Sequence, residues 1–140
     1  MPGKYGSSSI TVSIDDAPGG TLRAITSYVL ELGGAKITSQ MQDVTAIGDT
    51  VKKMLPTGLV ENAKIRIRGL WDTTATTGPH AVLQTPDDGP QDAQRTLTLV
   101  FGDSKTFTCE GYLESYEAVG TVGKLTEFIA EYIPNTAVWS

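Results

Sequence analysis

Ala63-Lys64-Ile65-Arg66-Ile67-Arg68-Gly69-Leu70-Trp71 decides how the rest of the chain is read. Ala63, Ile65, Ile67, Gly69 and Trp71 share one side of an extended backbone. Lys64, Arg66, Arg68 and Leu70 share the other. Side chains on a strand alternate between two faces, so this spelling predicts a strand with one face in a core.

The same alternation recurs on both sides of it. Downstream, residues 96–101 carry Leu97, Leu99 and Phe101 on one face, and Gly102-Asp103-Ser104-Lys105 spells a hairpin turn. In residues 106–118, Phe107, Cys109, Gly111 and Leu113 oppose Thr108, Glu110, Tyr112, Glu114 and Tyr116. In residues 124–133, Phe128, Ala130 and Tyr132 oppose Leu125, Glu127, Ile129, Glu131 and Ile133, so both faces hold apolar groups. Upstream, Ile10, Val12 and Ile14 mark a half-buried strand, closed by Asp15-Asp16-Ala17-Pro18-Gly19-Gly20. Residues 22–32 fit both periods; without a helix cap, they read as a short strand or bent turn that Gly33-Gly34 stops.

The remaining segments are irregular. Residues 38–47 read as partly extended, and residues 41–61 as a long loop of the kind that serves function or a partner. Gly78-Pro79 opens a short helix through Leu83, since proline suits a first helical position. Residues 85–94, rich in Pro, Asp and Gly, read as a loop. Residues 1–8 read as a mobile arm, and residues 134–140 as a C-terminal tail. The expected fold is mainly β: an antiparallel β-sandwich or barrel with one short flanking α-helix, in a single domain over residues 1–140.

Composition narrows the function. The chain has 140 residues, 39% hydrophobic and 19% charged, which suits one folded core. Its net charge of -5 repels nucleic acid at long range, so adsorption to DNA phosphates is not expected. Cys109 is the only cysteine, which rules out an internal disulfide and fits synthesis in a reducing cytoplasm. No apolar run follows Lys4, so no secretory leader is expected. No stretch reaches the ~18 apolar residues of a membrane helix.

Catalytic and ligand chemistry finds little footing, and no cofactor is expected. His80 is the only histidine, and no G-x-S-x-G elbow accompanies it. One cysteine and one histidine fall short of a four-ligand zinc site. Gly120-Thr121-Val122-Gly123-Lys124-Leu125 lacks the first glycine and the final Ser or Thr of a phosphate loop, so it reads as a hairpin turn. Asp87-Asp88-Gly89 lacks the spaced oxygens of a calcium loop. Lys64, Arg66 and Arg68 form a basic stripe without aromatic interleaving. A solvated or cross-strand-paired face explains it better than base stacking, and pairing with a neighbouring subunit is a further reading.

Three stretches together resemble long-tailed phage major tail tube proteins. They are the strand–turn–helix run from Gly69 to Leu83, Asp43-Val44-Thr45-Ala46-Ile47-Gly48-Asp49 before the expected long loop, and Gly111-Tyr112-Leu113-Glu114-Ser115-Tyr116-Glu117. The similarity spans about residues 9–133. It implies a β-sandwich that forms six-membered rings, stacked through the long loop and terminal arms into a virion tail tube. It further implies tape measure and tail terminator proteins as partners, and DNA passing through the lumen without specific binding.

The resemblance also implies a structural, non-enzymatic role and an acidic channel. Glu110, Glu114, Glu127 and Glu131 are the candidate lining, the choice between the two pairs being open. Met41, Val44, Ile47, Val51, Met54 and Leu55 are the candidate inter-ring contacts. Lys64, Arg66, Arg68, Phe128 and Tyr132 are the candidate inter-subunit contacts. The rival expectations are a decoration or head–tail joining protein, a carbohydrate-binding β-sandwich, and a hydrolase using His80.

Overall fold

A computed structural model describes residue 6, residues 9–86 and residues 94–140 of the chain. Most of the expected arm at residues 1–8, and the Asp87-Asp88-Gly89 turn, lie outside the described residues. Nine strands and one helix follow in the order β1 (Thr11–Asp15), β2 (Leu22–Ala24), β3 (Val29–Gly33), β4 (Ile37–Asp43), β5 (Met54–Asn62), β6 (Ile65–Leu70), α1 (Pro79–Leu83), β7 (Arg95–Val100), β8 (Thr106–Val119) and β9 (Glu127–Trp139). All pairings are antiparallel. Seven strands form one sheet in the order β2-β1-β7-β8-β9-β6-β3, and β4 and β5 form a separate hairpin. The expected antiparallel architecture with one short helix is present.

Chain connectivity forces this sheet to curl. β2 and β3 are its opposite edges, yet only residues 25–28 join them. Seven strands laid flat would separate the edges by about 29 Å, at ~4.8 Å per gap. The link spans at most ~19 Å, at 3.8 Å per Cα step. The sheet therefore wraps toward a barrel, with its apolar face inside. Ile25, in the link, is fully buried in the same core cluster as Val12, Ile65, Leu97, Phe107 and Phe128. Its amide donates to the Val12 carbonyl at 2.9 Å. A groove along Ile10, Val12, Val29 and Leu32 marks the seam that stays open.

The predicted faces of β6, β7 and the first half of β8 hold: Ile65, Ile67, Leu97, Leu99, Phe107, Cys109 and Leu113 are all buried. Two boundaries differ from expectation. Residues 37–62 are a β-hairpin and not a loop from 41 to 61. Residues 134–139 are not a tail: they continue β9, with Gly111 opposite Pro134 and Phe107 opposite Trp139. The ladder shifts register between Glu110 and Gly111, and a proline that cannot donate is tolerated at such an irregularity. Gly111 fits there because a Cβ would come within 2.1 Å of the Ile133 carbonyl oxygen. A second shift, between Leu113 and Ser115, turns Tyr116 to the core side, against the simple alternation.

α1 is pinned by a residue that composition does not flag. Arg95 is 2% exposed. Its guanidinium donates to the carbonyls of Val82 at 3.0 Å and Thr85 at 2.7 Å, while the Tyr132 hydroxyl donates to the Arg95 carbonyl at 2.6 Å. Replacing Arg95 by leucine strands the buried Val82 carbonyl, at about 1–3 kcal/mol, and frees the partly exposed Thr85 carbonyl. Arg95→Leu is expected to lower the unfolding free energy by about 1–3 kcal/mol, read by urea denaturation. A loss below about 1 kcal/mol refutes the pinning role.

Candidate assembly and channel surfaces

Two surfaces stand out: the polar outer face of the sheet and the projecting β4–β5 hairpin. The outer face follows from register. Cys109, Gly111 and Leu113 point into the core from β8, and Phe128, Ala130 and Tyr132 do so from β9. Glu110, Glu114, Glu127 and Glu131 therefore all fall on the outer face, and the open choice between two pairs disappears. The second register shift adds Glu117, which pairs across with Ile129, and β3 adds Glu31. Both escaped the sequence analysis. Simple alternation puts Glu117 on the core side, and only the irregularity moves it out.

The basic stripe of β6 lies within this face. Lys64 Nζ sits 2.8 Å from Glu114 and 3.1 Å from Glu131. Arg68 sits 3.0 Å from Glu127 and 3.3 Å from Glu31. Hydrogen bonding to Glu114, then to Glu131, raises the Lys64 pKa, and Glu127 is the main cause of the rise at Arg68. The cross-strand-paired reading describes two of the three cations. Arg66 makes no ion pair among the described residues. Glu110 instead accepts a hydrogen bond from Thr96 Oγ1 at 2.7 Å. Six carboxylates against three cations leave the face at net -3.

The hairpin has the opposite character. Every residue of β4 is exposed, as is nearly all of β5. Nine of the seventeen large apolar side chains exposed among the described residues lie between Ile37 and Val60. They include all six candidate contacts, Met41, Val44, Ile47, Val51, Met54 and Leu55, with Ile47 fully exposed. Its tip is nonetheless well braced. The Asp43 carboxylate accepts from the Thr45 amide at 2.9 Å, Asp49 accepts from the Ala46 amide at 2.7 Å, and Lys53 reaches Asp49 at 3.3 Å. The Thr45 hydroxyl and amide lower the Asp43 pKa. Gly48 takes φ +95° at the turn, where a side chain would be strained. A shaped apolar finger in water marks an interaction surface.

Two expected inter-subunit residues are corrected. Phe128 and Tyr132 are 0% exposed in the core, because the sheet curls over them, and they have no surface to offer a neighbour. His80 is half-buried, its Nδ1 lying 3.1 Å from the Tyr116 hydroxyl and its ring 5.3 Å from that of Trp71. This cluster holds α1 against the sheet. Cys109 is buried, and burial pushes its thiol up to about 12.

No protein-family model matches the chain, and no curated protein sequence does. Solved structures do match its fold. A chain in the tail of an empty gene transfer agent particle, refined with C6 symmetry, superposes with a TM-score of 0.72 at 13% identity, covering 98% of this chain and 99% of that one. A chain of the SPP1 tail tube superposes at 0.69 with 11% identity, covering 98% and 79%. A chain in the sheath/tube terminator of an extracellular contractile injection system, PVC, superposes at 0.72 with 10% identity, covering 100% and 99%. The fold is that of tail tube assemblies.

Proposed function

We propose that this chain is a major tail tube subunit of a virion: a structural protein that forms rings, stacks them, and leaves an acidic channel through which DNA passes. The observation that carries the reading is the apolar, internally braced β4–β5 hairpin, which no other described residues cover. A second copy is the cover that the tail tube fold supplies. Rings of six follow the C6 symmetry of the gene transfer agent tail. The open edges at β2 and β3 are where neighbours in a ring complete each other's sheets, which removes an exposed edge that invites aggregation. A tape measure protein inside the tube and a terminator at its end are the further partners.

The outer face is the channel wall. At net -3 per subunit it repels phosphate, and DNA slides without sticking. The ion pairs of Lys64 and Arg68 keep the carboxylates of adjacent strands from repelling each other.

Electron microscopy of the purified chain tests the assembly. Tubes are expected. Rings that never stack would make it an end ring, akin to the terminator and cap assemblies that share the fold. A monomer at every concentration rejects the reading. The wall has its own test. Changing Glu110, Glu114, Glu127 and Glu131 together to glutamine takes the face from net -3 to +1. Tubes should still assemble while DNA ejection slows at low salt. Unchanged ejection removes these residues from the wall.

A further inference from the structure

The turn between β8 and β9, residues 120–126, is the second place where large apolar side chains stand in water. Val122 is fully exposed and Leu125 is 74% exposed. A turn built on Gly120 and Gly123 needs neither side chain for its own geometry.

Strand direction places this turn relative to the hairpin. β6 runs from Ile65, beside Tyr132, to Leu70, beside Glu127. The β4–β5 ladder prolongs the β3–β6 ladder past Gly33 and Arg66, beyond the Ile65 end. The turn 120–126 closes the β8–β9 ladder past Val119 and Glu127, beyond the Leu70 end. The two apolar tips therefore leave the sheet at opposite ends. A contact between unlike ends of identical chains is heterologous, and where its rotation does not close a ring it propagates, as a stack requires.

Reach is sufficient. From Ile37 to Asp43 the paired part of the hairpin is about 20 Å long, at ~3.3 Å per residue, and the turn beyond it carries the tip further. Beside its base, where the Asn62 amide donates to the Asn135 carbonyl, the body of the subunit continues only from Glu110 back to Thr106, about 13 Å. The hairpin thus clears its own subunit and reaches the top of the next. Of the acids near its tip, Asp49 is paired with Lys53, while the Asp43 carboxylate keeps its charge and is held by the Thr45 amide at the side of the turn.

We infer that Val122 and Leu125 form the seat that receives Ile47 and Val51 of the hairpin from the next copy along the tube. This rests on the tube reading. Two double variants test it: Ile47→Cys with Val122→Cys, and Val51→Cys with Leu125→Cys. Buried Cys109 stays out of the chemistry. After polymerisation and oxidation, a non-reducing gel should show a ladder extending past the copy number of one ring. Tubes with no ladder from either pair, or a ladder that stops at one ring, overturn the seat and leave the tube reading standing. Where cysteine variants do not polymerise, Val122→Asp with Leu125→Asp decides. With its fold verified by circular dichroism, it should need at least tenfold more protein to polymerise, and an unchanged threshold overturns the seat. If the unsubstituted chain never polymerises, the tube reading falls first and takes the seat with it.

Discussion

Ile47→Asp combined with Val51→Asp is expected to abolish tube formation at any ordinary protein concentration while leaving the folded monomer as stable as before. Both residues stand in water on a hairpin outside the core, so the change costs the monomer no more than about 0.5 kcal/mol. In the stack each apolar group is worth about 1.5–3 kcal/mol when buried. Losing two removes at least about 3 kcal/mol per contact, a hundredfold or more in the polymerisation threshold. Sedimentation gives the threshold, and thermal melting gives the monomer's stability. A raised threshold together with a collapsed melting temperature would place these residues in the fold and refute their assignment to assembly.

Phe128→Ala should do the reverse and unfold the monomer before assembly is reached. The Phe128 ring lies over Gly69, where a Cβ would come within 2.7 Å of it, and stacks on Tyr116 with centroids 6.1 Å apart. Emptying a phenylalanine site in a packed core costs about 3–5 kcal/mol. That is a large part of the ~5–15 kcal/mol that holds such a domain together, and the melting temperature should drop by roughly 10–15 °C. Ile133→Ala, on the exposed side of the same strand, should move it by less than about 4 °C. A dilute monomer that tolerates Phe128→Ala would return Phe128 to an interface and contradict the curl of the sheet.

The contrast between these two residues shows where sequence reading stops. A strand apolar on both faces says that each face meets something, and the two-faced spelling around Phe128 placed it at a neighbour. The side it occupies is the core side, because β6, β8 and β9 wrap around one cluster. The hairpin was missed as strands for a related reason. Alternation appears in a sequence only when one face is buried, and residues 37–62 bury neither face against the described residues. The candidate contact residues were nevertheless legible there, as apolar groups among polar ones with no periodic home. Arg95 gave no warning: an arginine at a strand start reads as solvent-facing until a helix end is packed over it.

From the sequence by itself came the strands with one buried face, the short helix behind Gly78-Pro79 and the acidic balance, all set by neighbours along the chain. The tertiary structure alone decided that four glutamates share one face, that Lys64 and Arg68 pair with acids on it, that Tyr116 turns inward and that the two apolar tips lie at opposite ends. Each of these depends on which strand lies beside which and on two shifts of register. Pairing between residues tens of positions apart leaves no mark in local periodicity.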